Sequence, residues 1–182
     1  MIIKTELRAE QKKSFYVYLT LSSVLSDYRD EELKQMNAEI KLLTEEDLPL
    51  MKDVLEDDEM VFDLEKLKEY IALPQNKGFI VKVDHQIVGF SYCYELVRPD
   101  AKVMLYIHSI GLLPMYQDQG LGTKLLAYIK QYAIASNYAE MFIITDKGNF
   151  RACHLYEKLG GKNDYEDEIV YVYDFEKNSG AE

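Results

Sequence analysis

The sequence predicts a mixed α/β domain, and three observations point to it. Apolar residues recur with period two in some segments and near 3.6 in others, so strands and helices are interleaved. The segments follow the order strand, two helices, three strands, helix, strand, helix, strand, a pattern that suits a sheet covered by helices. Two glycines, Gly120 and Gly122, stand at the mouth of a long helical segment. Glycine there costs about 1 kcal/mol relative to alanine, so the position asks for something only glycine offers.

The elements follow in chain order. Residues 1–37 precede the clear pattern and read as an N-terminal arm or a helical hairpin, between which periodicity does not decide. Within them "SFYVYLTL" alternates like a strand, while "AEQKKSF" and "YRDEELKQMN" look helical. The arm's apolar residues must cover something, either this domain or a second copy, so a homodimer is expected. "AEIKLLT" is a short strand. Thr44 then caps a helix to about Leu55, with Glu45, Glu46 and Asp47 where the helix dipole favours negative charge. A second helix covers about Asp63 to Leu73 and stops before Pro74. "GFIVKVD" and "QIVGFSYCYEL" form a hairpin around Asp84-His85. "KVMLYIHSIGLL" is a third strand, ending at Pro114.

The helix after the glycines is apolar at Leu121, Leu125, Leu126, Ile129, Tyr132 and Ala133, one face at helical spacing. "AEMFIITD" is the next strand. "NFRACHLYEKLG" is a helix closed by Gly160-Gly161. "EIVYVYDF" is the last strand. The main domain is therefore expected over 38–176, with a short tail at 177–182.

Composition narrows the function classes. Net charge is −11 over 182 residues, which argues against a nucleic-acid partner, because neutralising phosphates needs a basic face. An acidic surface is ordinary for a solvated protein, yet it also suits a cationic substrate. No apolar run approaches the roughly 20 residues that span a bilayer, and the N-terminus lacks a signal core. No membrane partner is expected. Cys93 and Cys153 show no metal or redox spacing. Both read as core residues of a cytoplasmic protein with reduced thiols, and no metal is expected.

The glycines have a chemical use. A helix N-terminus offers unpaired N–H donors and partial positive charge. Glycines ahead of it let a phosphate approach the main chain. "QDQGLG" lacks the Gly-Lys-Ser/Thr of a Walker loop. It also lacks the third glycine of a dinucleotide fingerprint, whose place is Leu125. On the loop alone, a tight strand–helix turn is an equal reading.

"SIGLLPMYQDQGLGTKLL", followed by "NFRACHLYEKLG", resembles the GNAT family of N-acetyltransferases. Gln117, Gly120 and Gly122 occupy the places of its Gln/Arg-x-x-Gly-x-Gly/Ala loop. Asn149, Ala152, Tyr156 and Gly160 occupy those of its second motif. The resemblance spans about Ala38 to Glu176. It implies the GNAT fold, a mixed and mostly antiparallel sheet with splayed central strands and flanking helices. It also implies direct acetyl transfer from acetyl-CoA to a primary amine. The main-chain N–H groups of Gln117, Asp118, Gln119, Gly120, Leu121, Gly122 and Thr123 would hold the pyrophosphate. Ile110 and Leu112 would pair through their main chain with the pantetheine arm, and Asn149 would touch that arm. One departure is Gly161, where the family often has an aromatic residue.

Acyl transfer to an amine needs a base, oxyanion donors and an acid for the thiolate. By resemblance Tyr156 is the acid; its alternative reading is an aromatic core residue. His108 is the expected base or proton relay, on the same strand parity as Tyr106, Ile110 and Leu112, since histidine titrates near neutral pH. A structural histidine is the other reading. Glu95 is the rival base; a carboxylate there is equally read as holding a cationic substrate or as solvated surface. Within the family, the segment before the loop and the acidic ending look like the aminoglycoside 3-N-acetyltransferases, although Ser109 stands where that group carries an aspartate. The acceptor is thus expected to be an aminoglycoside or another small cationic amine. Protein or peptide amines, or a non-catalytic coenzyme A-binding module, are the alternatives.

Overall fold

The computed structural model describes residues 38–163. The arm over 1–37, the strand expected in "EIVYVYDF" and the tail lie outside them. The chain divides into two compact units, Met1–Asp146 and Lys147–Glu182.

In the first unit, five strands form one sheet in the order β1-β2-β3-β4-β5. They are β1 (Ala38–Leu42), β2 (Asn76–Val83), β3 (Gln86–Val97), β4 (Val103–Leu112) and β5 (Glu140–Ile143). The first four pair antiparallel, and β5 runs parallel to β4. β2 and β3 turn through Asp84 and His85, at φ 47° and 70°. This is the left-handed pair that a two-residue hairpin of matching twist requires.

The helix expected from Thr44 to about Leu55 is instead two pieces. A 3-10 turn covers Glu45–Leu50 and contains Pro49, and helix α1 follows over Lys52–Asp57. Proline lacks the N–H that continues a helix and crowds the preceding turn. The Thr44 N–H and hydroxyl both donate to Asp47, at 3.1 and 2.7 Å. Helix α2, Leu64–Ala72, is capped by Asp63, which accepts from the N–H groups of Glu65 and Lys66. Helix α3 spans Leu121–Ala135.

The two faces of the sheet bury different partners. Phe79 meets Tyr128 and Tyr132 of α3 edge-on, with centroids 6.1 and 5.2 Å apart. On the other face, Leu48, Met51, Val54, Leu55 and Leu67 cluster with Ile80, Ile87 and Phe90. Each large side chain buried this way contributes about 1.5–3 kcal/mol. Asp47 is buried among them with two cations, Lys41 at 2.9 Å and Lys82 at 3.2 Å.

The second unit carries α4, Phe150–Lys158. It ends in a Schellman motif. Gly160 sits at φ 85°, its N–H donates to the Glu157 carbonyl, and the Gly161 N–H donates to that of Tyr156.

Candidate functional site

The glycine loop lies between β4 and α3. A 3-10 turn at Pro114–Tyr116 ends β4. Asp118 and Gly120 then take left-handed φ values of 59° and 79°. Successive reversals of this kind turn N–H groups toward one concave surface. The Lys124 N–H donates to the Gly120 carbonyl as the helix begins. The N–H groups of Leu121, Gly122 and Thr123 therefore belong to the first turn, which has no intrahelical acceptors. The Gln117 side chain donates to the Leu112 carbonyl at 2.8 Å, and that of Gln119 to the Met115 carbonyl at 2.7 Å. The two glutamines brace the loop through their amides, which leaves the main chain as the surface presented. This arrangement fits an anionic pyrophosphate.

β4 changes character at His108. Tyr92 pairs with Ser109 while Cys93 pairs with Ile107, so His108 is an extra residue, a bulge. The pairing with β5 ends at Ile107 as well. From His108 to Leu112, β4 has no strand partner on its β5 side among the described residues. Ile110 and Leu112 pair with Ser91 and Gly89 of β3 on the other side. The buried Ser91 hydroxyl donates to the Ser109 carbonyl at 2.8 Å, serving the bulge.

The bulge corrects the expected parity. His108 does share a face with Tyr106, whose hydroxyl lies 3.1 Å from its Nδ1. Ile110 and Leu112 fall on the opposite face, because the extra residue inverts the alternation. The His108 ring is exposed and sits among tyrosines. Its centroid is 4.9 Å from Tyr92, 5.5 Å from Tyr106 and 6.1 Å from Tyr94.

Glu95 lies on the α3 face, in the alternation of Ser91 and Cys93, so it does not share His108's face. Its carboxylate pairs with Lys77 at 2.9 Å and accepts from the Tyr138 hydroxyl. Burial raises its pKa, but Tyr138 and Lys77 outweigh that and hold it below the usual carboxylate range. Burial, then the Glu95 carboxylate, push the Tyr138 phenol up. This is a satisfied network joining β2, β3 and the approach to β5. Cys93 is fully buried, and burial pushes its thiol up to about 12 despite Ser91, which suits a core residue.

In the second unit, Asn149 caps α4 by accepting from the Ala152 N–H at 3.1 Å. The Tyr156 phenol is raised above its ordinary value by burial and then by Cys153, so it stays protonated at neutral pH. A Cβ on Gly161 would lie 3.0 Å from the Tyr156 carbonyl oxygen. This close approach accounts for glycine where the resemblance leads one to expect an aromatic residue.

Sequence reading missed the tyrosine cluster around His108 and the carboxylate of Asp58, which accepts from the Ser109 hydroxyl at 3.0 Å. The tyrosines had a signal, since Phe90, Tyr92 and Tyr94 alternate along β3. The pairing of Asp58 with Ser109 had none, because 51 residues separate them.

A strand that parts from its neighbour, a left-handed glycine loop and a helix N-terminus follow one another along the chain. The chain belongs to the acetyltransferase (GNAT) family, whose model matches residues 38–161. A stretch of 90 residues is 26% identical to thialysine N-epsilon-acetyltransferase of Mus musculus, covering 50% of this chain and 53% of that one. The chain thus spans about half the length of that relative. An aminoglycoside acetyltransferase from an uncultured soil metagenomic sample, solved with trehalose, superposes with a TM-score of 0.63. It is 26% identical, over 75% of this chain and 95% of that one. An aminoglycoside N-acetyltransferase solved with CoA shares the fold, with a TM-score of 0.62 at 17% identity over 77% and 96% of the two chains. No helix among the described residues is long and apolar enough to cross a membrane.

Proposed function

We propose that this chain transfers an acetyl group from acetyl-CoA to a primary amine of a small cationic molecule, an aminoglycoside being one example. The observation that carries this is the loop from Gln117 to Thr123, with Asp118 and Gly120 turned left-handed ahead of α3. Acetyl-CoA supplies the acyl group as a thioester. The main chain of the loop would bind its pyrophosphate, the β4 edge at Ile110 and Leu112 its pantetheine amides, and Asn149 the arm.

His108 takes a proton from the acceptor ammonium; the freed lone pair forms the new C–N bond as the C–S bond breaks, and the acylated nitrogen then gives its second proton to solvent. Tyr156 gives its proton to the departing thiolate and regains one from solvent. A phenol whose pKa is raised is well kept in the donating form. Glu95 supports the sheet through Lys77 and Tyr138 in this reading. Free thiols at Cys93 and Cys153 suit the cytoplasm. A homodimer is part of the proposal, and light scattering of the full chain tests it.

The test of transfer is free-thiol release with acetyl-CoA and a panel of aminoglycosides, polyamines, amino acids and peptides. Acetylation of small cationic amines is the expected result. Release with peptides alone would move the acceptor to protein amines. No release with any amine would overturn the enzymatic reading.

A further inference from the structure

A cleft opens on the strand face that carries His108. Val54, Asp57 and Asp58 line it from α1 and the residue after it, Phe90 from β3, and Ser109 and Gly111 from β4. It offers about 20 Å³ to a water-sized group. A buried water needs about 10–15 Å³, and an ammonium head is of similar size.

The chemistry of the lining favours a cation. The Ser109 hydroxyl donates to Asp58 Oδ2 and so pins that carboxylate beside β4. Among the described residues, no lysine or arginine pairs with Asp58. Tyr92 stands opposite Ser109 in the strand pair and stacks on Phe90 at 5.6 Å. Its phenol is pushed up to about 12, by burial first and by the Asp58 carboxylate next. Beyond the lining, Tyr92 in turn meets the His108 ring at 4.9 Å. An anion beside aromatic faces attracts an ammonium through both charge and ring quadrupole. A neutral hydroxyl or methyl group gains neither.

This carboxylate is poorly suited to the nitrogen that reacts. A nearby anion favours the ammonium form, and an ammonium has no lone pair to attack with. We propose that Asp58, held by Ser109, anchors a second cationic nitrogen of the acceptor, so that the protein selects diamines and larger polyamines over monoamines. The proposal rests on the transfer reading only for which nitrogen becomes acetylated; the anchoring itself is a binding property.

Calorimetric titration of the full chain with 1,4-diaminobutane and with 1-aminobutane tests it. The diamine should bind at least tenfold more tightly. Asp58→Asn should remove most of that preference, Asp58→Glu should keep part of it, and Ser109→Ala should weaken it. Melting temperatures of the variants identify any that fail to fold. Equal affinities, no diamine binding at millimolar concentration, or a preference that survives in folded Asp58→Asn would overturn the proposal. Thiol release with the same two amines separates the two readings. Preferential binding without thiol release from these two amines or from any amine of the wider panel sinks the transfer reading and leaves the anchor standing. Turnover without preference sinks the anchor alone.

Discussion

Nδ1 of His108 lies 3.1 Å from the hydroxyl of Tyr106, two places back on the same strand. The contact ties the imidazole at one nitrogen and orients the ring at the bulge, where pairing between β4 and β5 stops. In the tautomer whose Nδ1–H donates to the phenol oxygen, Nε2 carries the lone pair that a base requires.

If His108 takes the acceptor's proton, His108→Gln should shift or abolish the acid limb of kcat/KM. Turnover should fall about 10²-fold, the lower end of what a positioned base contributes. A pH–rate profile on a confirmed amine checks this. An unchanged limb at an unchanged rate would make His108 structural and leave the substrate's own titration to set the profile.

Gly120 and Gly122 should be intolerant of bulk for different reasons. Gly120 is at φ 79°, where a β-carbon is strained. Gly122 sits in the first turn of α3, where a side chain would stand between main chain and pyrophosphate. Gly122→Val should weaken coenzyme A binding at least tenfold, or about 1.4 kcal/mol. Calorimetry on a variant of unchanged melting temperature is the measurement, and equal affinity would remove the loop from the site.

Tyr156→Phe should lower turnover about 10²-fold while coenzyme A affinity stays within a few fold. The phenol is held protonated by burial and by Cys153, so its loss removes a proton donor and little packing. Equal turnover of variant and parent on a confirmed amine would exclude it as the acid.

The parts of this protein that sequence made legible are those built from neighbours along the chain. The Asp84-His85 turn, the helix from about Asp63 to Leu73, the glycine loop and the Gly160-Gly161 stop each depend on a few consecutive residues, and each forms. Features set by partners far away in sequence were not legible. Strand alternation places His108 with Ile110, but the bulge that separates them shows only in the register against β3. The pairing of Glu95 with Lys77 and Tyr138, from β2 and the loop before β5, likewise joins residues far apart in sequence. Thr44 and its acidic residues announce a helix start, yet Pro49 keeps that start a 3-10 turn.

Asp47 should make the fold acid-sensitive in a defined window. Burial raises its pKa, but hydrogen bonds from Lys41, from the Thr44 side chain and N–H, and from Lys82 outweigh this and bring it to about 2. A carboxylate depressed in the folded state stabilises it above the unfolded value, near 3.8. That contribution disappears as pH falls through the folded value. The whole effect is about 2 kcal/mol, lost between roughly pH 5 and pH 2. In Asp47→Asn the amide cannot balance Lys41 and Lys82, so the variant should be less stable than the parent at pH 7 by ~2 kcal/mol or more. The gap should narrow as pH drops, because the parent loses the same interaction by protonation. Urea unfolding of both proteins at pH 7, 4 and 2.5 measures it. A gap that stays constant across this range would mean that Asp47 stabilises the turn by shape and hydrogen bonding alone, without its charge.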